Sequence, residues 1–188
     1  MEADWEIDIG GDAPVIEAHW PGFVDLRLAP NRAAELTETR RLPGLTDALT
    51  LLNSHNSPVW TSKTDVFVSD AIDRDELDAP AASAGHRLAC YIDVLPRSDQ
   101  QWITHAMAIS DCKQICARLR EIPLRCCRVD LVVRRAVVAR DADDHGITAY
   151  LSACGATQRE AKATLMKCLE AFAQAMVPSS MRTGSKLQ

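Results

Sequence analysis

No apolar run in this chain approaches the roughly 20 residues that a helix needs to cross a bilayer. No basic stretch followed by an apolar one opens it, so the chain is read as lacking a signal peptide. Gly-x-Gly-x-x-Gly, Gly-x-x-x-x-Gly-Lys-Ser/Thr, His-Glu-x-x-His and Gly-x-Ser-x-Gly are all missing. That removes the usual dinucleotide, nucleotide, zinc-protease and nucleophile-elbow readings, and no cofactor is expected. Aromatic residues make up only 5%, too few to expect rows of rings that stack on bases. Basic residues are outnumbered, 21 against 26, for a net charge of −5. Long-range attraction to nucleic acid or anionic lipid is therefore disfavoured, and neither is an expected partner. The seven cysteines are odd in number and contain no Cys-x-x-Cys. They read as small hydrophobes in a reducing, cytoplasmic protein.

What the sequence does have is alternation. Cys127, Val129, Leu131 and Val133 alternate with Arg128, Asp130 and Arg134, and Ile147, Ala149, Leu151 and Ala153 with Thr148, Tyr150 and Ser152. Period two means half-buried strands. The polar stretch from Asp141 to Gly146 between them predicts a hairpin loop, with Gly146 supplying a positive φ. Other strands are expected around Trp5–Ile9, from Ile16 to Leu28 with a break at Pro21-Gly22, from Trp60 to Val68, and from Leu88 to Val94. In the third of these, Trp60, Val66 and Val68 share one parity.

Period 3.6 marks the helices. One follows Pro43, with Leu45, Ala48, Leu49 and Leu52 on one face and Asn53 at its end. Ser98…Gln101 and Thr157…Glu160 have the spacing of capping boxes. The first opens a helix with Trp102, Ala106, Ile109, Cys112, Ile115, Cys116 and Leu119 on its apolar stripe. The second opens one carrying Ala161, Leu165, Cys168, Leu169, Phe172 and Met176. Residues 31–42 are ambiguous.

This pattern predicts an α+β fold with an antiparallel or mixed sheet of about five to six strands and helices on one face. A ferredoxin-like β-α-β-β-α-β core, extended by a further strand and the C-terminal helix, is the expected architecture. A single domain over 1–178 is expected, with an internal linker at 69–85 and a disordered tail at 179–188.

The polar parities converge on the sheet face away from the helices. Asp25, Lys63, Asp65, Tyr91 and Asp93 are expected there, together with Arg128, Asp130, Arg134 and Tyr150, and Asp–Arg pairs should form across strands. The leading expectation is a non-catalytic protein that associates through this face, with itself as a homodimer or with another partner or ligand. An alternative is a small enzyme with an acid–base or metal site on Glu17 and His19, two residues apart and so side by side on one strand. A second alternative is a thiol or metal protein that uses His105, Cys112 and Cys116 along one helix. Of the remaining cysteines, Cys126 or Cys154 is expected to be the accessible one.

Overall fold

The computed structural model describes residues 1–68, 75–80, 85–98, 101–138 and 144–177. The predicted tail, most of the predicted linker, Asp99-Gln100 of the first capping box and Asp141–Asp143 of the hairpin loop lie outside the described residues.

Among the described residues six strands form one mixed sheet: β1 (Glu2–Asp8), β2 (Val15–Glu17), β3 (Val59–Phe67), β4 (His86–Pro96), β5 (Cys127–Val137) and β6 (Asp144–Gly155). The order is β1-β5-β6-β4-β3, with β2 also paired to β5. β1 and β2 run parallel to β5, and every other pairing is antiparallel. Among the described residues four helices complete the α+β fold: α1 (Thr37–Arg41), α2 (Gly44–Leu52), α3 (His105–Arg120) and α4 (Gln158–Met176). Short 3-10 turns occupy Pro30–Glu35 and Asp75–Leu77. Since β4 and β5 both run against β6, the unit β4-α3-β5 is a β-α-β crossover with β6 lying between its strands. The described strands form no second parallel crossover of the kind a ferredoxin-like core needs, because β3 runs against β4.

The core follows the sequence alternation. Cys127, Val129, Leu131 and Val133 meet Ala153, Leu151, Ala149 and Ile147 in register, and all are buried in the core on the helix side of the sheet. A second, smaller cluster of Ile16, Trp60, Leu95 and Ala136 sits on the opposite face at one end of the sheet. At the start of α4 the Thr157 hydroxyl accepts from Glu160 N–H at 3.2 Å, and the Glu160 carboxylate accepts from Ala156 N–H at 2.9 Å. The predicted box therefore forms, with its return bond one residue upstream of the cap.

Four expectations need correction. α3 is capped by Thr104, not Ser98. Ala108 then replaces Ala106 on its buried face, and His105 is turned out to meet His145 at 6.0 Å between ring centroids. The expected Ile16–Leu28 strand stops at Glu17, and turns follow it. Gly146 lies inside β6 without a positive φ. It is a glycine because a Cβ there would come 2.7 Å from Ile16 Cδ1 and 3.0 Å from the Val94 carbonyl. In β3 the register jumps from Thr61 opposite Val94 to Thr64 opposite Ile92, leaving Ser62 and Lys63 to share one partner position. This β-bulge reverses the parity of the strand. Trp60 lands beside Leu95 on one face, while Val66 faces Cys90 on the other. Thr61 turns inward, accepting from Asn53 Nδ2 at 2.7 Å while its own N–H donates to Asn53 Oδ1 at 3.0 Å.

Candidate functional site on the polar face of the sheet

Register alone builds the centre of this site. Asp130 lies opposite Tyr150, Tyr150 opposite Tyr91, and Tyr91 opposite Asp65. Four side chains thus form one row on the face away from the helices. The two rings meet at 6.2 Å between centroids. All four residues are half-buried, because flanking segments rise on either side of the row. At one end of the sheet stands the small apolar cluster around Trp60. At the other, the 75–78 turn is tied down by Arg125, whose Nε donates to Asp78 at 3.0 Å.

Two clefts open on the two sides of the tyrosines. The first, about 280 Å³, is lined by Asp4, Glu6, Glu76, Arg128, Asp130 and Tyr150 together with Trp5 and Val132. Arg128 Nε donates to both Asp130 oxygens, at 2.7 and 2.9 Å. Burial pushes the Asp130 carboxyl up, an effect reinforced by Asp4 and Glu76 and opposed by Arg128. The second cleft, about 440 Å³, lies beside the β3 bulge. Tyr91, Lys63, Asp65 and Glu38 stand at its polar side, and Leu26, Leu36 and Leu49 at its apolar side. The Lys63 ammonium sits 5.0 Å from the Trp20 ring centroid, and Asp65 pairs with Arg41 at 3.4 Å. Burial raises the Tyr91 hydroxyl's pKa, helped by Asp93 and Asp65.

Between the clefts, Asp93 is buried and accepts from the Thr148 hydroxyl at 2.6 Å. Arg134 reaches Asp8 at 3.5 Å and lies over the Tyr150 ring at 5.7 Å.

The sequence expectation of a charged face therefore splits. Lys63, Asp65, Tyr91, Arg128, Asp130, Arg134 and Tyr150 do gather there. Asp93 points to the same face but is covered. The Asp–Arg pairing expected across strands forms between Arg134 of β5 and Asp8 of β1, while Arg128 and Asp130 pair within β5, two residues apart. Asp25 is not part of the row: it lies in the segment after β2 and is clamped to Arg27, whose Nε and Nη2 donate at 2.9 and 2.7 Å. Arg27 in turn lies 4.0 Å over the Trp60 ring.

Glu17 and His19 do not stand side by side on a strand. β2 ends at Glu17, and His19 adopts φ 65. Its ring meets Phe23 at 5.1 Å and Trp60 at 6.3 Å. Neither residue lines the two clefts. His105 lies off the Cys112–Cys116 face, and no three His, Cys, Asp or Glu side chains converge on a metal-sized site among the described residues. The residues that sequence reading missed include Asp4, Trp5 and Glu6 on the edge strand β1, Trp20 in the turns after β2, Glu38 on the short helix α1 and Glu76 in the 75–77 turn. Among the described residues no helix is long and apolar enough to cross a membrane. No family profile, no curated protein and no solved structure matches the chain.

Proposed function

We propose that the protein acts by binding, without catalysis, and that it takes a basic group of a partner protein on the tyrosine row of its polar sheet face. The carrying observation is the alignment of Asp130, Tyr150, Tyr91 and Asp65 as direct cross-strand neighbours between two clefts. Half-exposed tyrosines supply flat rings and hydroxyls at low entropic cost. Guanidinium and ammonium groups favour such rings. In the first cleft Asp4, Glu6, Glu76 and Asp130 outnumber the two arginines that pair with them, Arg128 on Asp130 and Arg120 on Asp4 at 3.6 Å, so a cation is attracted and an anion repelled. A second copy of this acidic chain would present like charge to the same cleft, which makes a different, basic partner the better fit than a homodimer. The free cysteines fit a reducing compartment such as the cytoplasm.

The test is a titration of isotope-labelled protein with a short arginine-rich peptide and with a glutamate-rich control, followed by amide shifts. The basic peptide should move Tyr91, Tyr150 and Asp130 at low salt, and the effect should fade as ionic strength rises. Tyr150→Ala should weaken it several-fold. Equal shifts with both peptides, or none on the row, would remove this reading. A stable dimer that buries the row would replace it with self-association.

A further inference from the structure

We propose that Cys126 and Cys154 form a reversible oxidation site, at which a hydroperoxide converts the two thiols into a disulfide across the end of the β5–β6 hairpin. The placement is set by the ladder. Cys127 lies opposite Ala153, so the next position outward sets Cys126 against Cys154. The Cys154 N–H donates to the Cys126 carbonyl at 2.9 Å. That bond holds the two backbones at about the spacing of neighbouring strands, roughly 5 Å, inside the range of about 4.4–6.8 Å that disulfide Cα pairs occupy.

Backbone conformation singles out Cys126. It has φ 61, one of three non-glycine residues with positive φ among those described. This conformation disfavours a side chain that lacks a local polar anchor. Cys126 is half-buried, whereas Cys154 is 1% exposed. Burial, reinforced by the neighbouring Cys126 thiol, pushes Cys154 up to about 11. Cys126 is thus the thiol that meets the oxidant, and Cys154 is the one held ready behind it.

The chemistry balances in two steps. The Cys126 sulfur attacks the terminal oxygen of the hydroperoxide, the O–O bond breaks, and an alcohol leaves (water, when the oxidant is hydrogen peroxide). Cys126 is left as a sulfenic acid. The Cys154 sulfur then attacks the Cys126 sulfur, the S–S bond forms, and the S–O bond breaks. The hydroxyl departs as water with the Cys154 proton. The thiols lose two electrons in all, and the peroxide gains them.

The other five cysteines are placed differently. Cys90, Cys112, Cys116, Cys127 and Cys168 are buried on the helix side of the sheet. Burial pushes Cys112 up to about 12 and Cys116 up to about 11. Cys168 is raised by its hydrogen bond with Cys127 and by burial. The oxidation site lies outside the tyrosine row and does not depend on what that row binds.

The test uses the full chain with hydrogen peroxide. After free thiols are blocked, the protein is digested without reduction and the peptides are weighed. The expected product is a cross-linked pair joining the Cys126 and Cys154 peptides, lighter by two hydrogens and released by dithiothreitol. Cys126→Ser and Cys154→Ser should each abolish it, and Cys127→Ser should leave it. The wild-type result needs no variant to fold. The proposal is overturned by Cys126 sulfinic acid without a cross-link, by a disulfide between two chains through Cys126, by a Cys127–Cys168 cross-link, or by no reaction at millimolar peroxide.

Discussion

The Thr148 hydroxyl donates to the Asp93 carboxylate at 2.6 Å, on the floor between the two clefts. Burial pushes the Asp93 carboxyl above its ordinary value of 3.8. The Thr148 hydrogen bond and the charges of Arg134 and Lys63 pull the other way without winning. A carboxyl whose folded-state pKa is raised holds its proton longer in the folded protein than in the unfolded chain. Its cost to stability is absent below the unfolded value and grows as pH rises through the folded one. Asp93→Asn can still accept from Thr148 and carries no charge. We expect its stability advantage over wild type, read from urea unfolding, to be smallest at acidic pH and to widen as pH rises from about 3.8. A gap that narrows over the same range would show that the carboxylate stabilises the fold.

Gly155 is where β6 gives way to α4. A Cβ there would lie 2.4 Å from Ala161 N and 2.7 Å from Glu160 Cβ. Both contacts belong to the first turn of the helix, which the Thr157 cap holds in place. Gly155→Ala should cost about 1–3 kcal/mol, as overpacking does. Gly10→Ala, where the added atom meets nothing within 4 Å, should be close to neutral. Thermal midpoints of the two variants separate the cases; equal midpoints would mean that the β6–α4 junction yields freely.

Trp60 is 2% exposed, and its Nε1–H donates to the Pro96 carbonyl at 2.9 Å. It is the largest side chain of the small cluster, and His19, Phe23 and Arg27 all gather on it. Trp60→Ala should cost about 3–5 kcal/mol, the usual range for emptying a buried aromatic site. It should also speed amide exchange across residues 18–28 more than across α4. Uniform acceleration everywhere would show that this segment does not rest on the ring.

Trp60 also shows where sequence reading stops. β5 and β6 were legible because long stretches of each alternate, from Cys127 to Leu131 and from Ile147 to Ala153, and the helix-side face of those stretches is buried. The α4 cap was legible because its signal is local. The β3 bulge was not: Ser62 and Lys63 look like ordinary members of an alternating run, and the reversal appears only against the register of β4. The same limit hid the site. Tyr91 and Tyr150 could be assigned to the open face by parity, but their meeting depends on which strands are neighbours. The parallel addition of β1 beside β5, which brings Asp4 and Trp5 to the first cleft, has no local signature. His19 misled because turns after Glu17 ended the strand that would have aligned it with Glu17.

The way β1 is held bears on the order in which the molecule assembles. Arg120 Nε donates to the Ala3 carbonyl at 2.9 Å across a sequence separation of 117 residues, and the sheet pairing of β1 lies wholly with β5. At the usual pace of synthesis that separation corresponds to a delay on the order of ten seconds. During that interval β1 has left the ribosome and its partner strand does not yet exist. β1, made well ahead of its partner strand, is therefore secured late. Glu2, Asp4, Glu6 and Asp8 alternate along it, so every second side chain is charged while the backbone waits unpaired. Charges placed in this way are what keeps a solitary strand from pairing with the wrong neighbour.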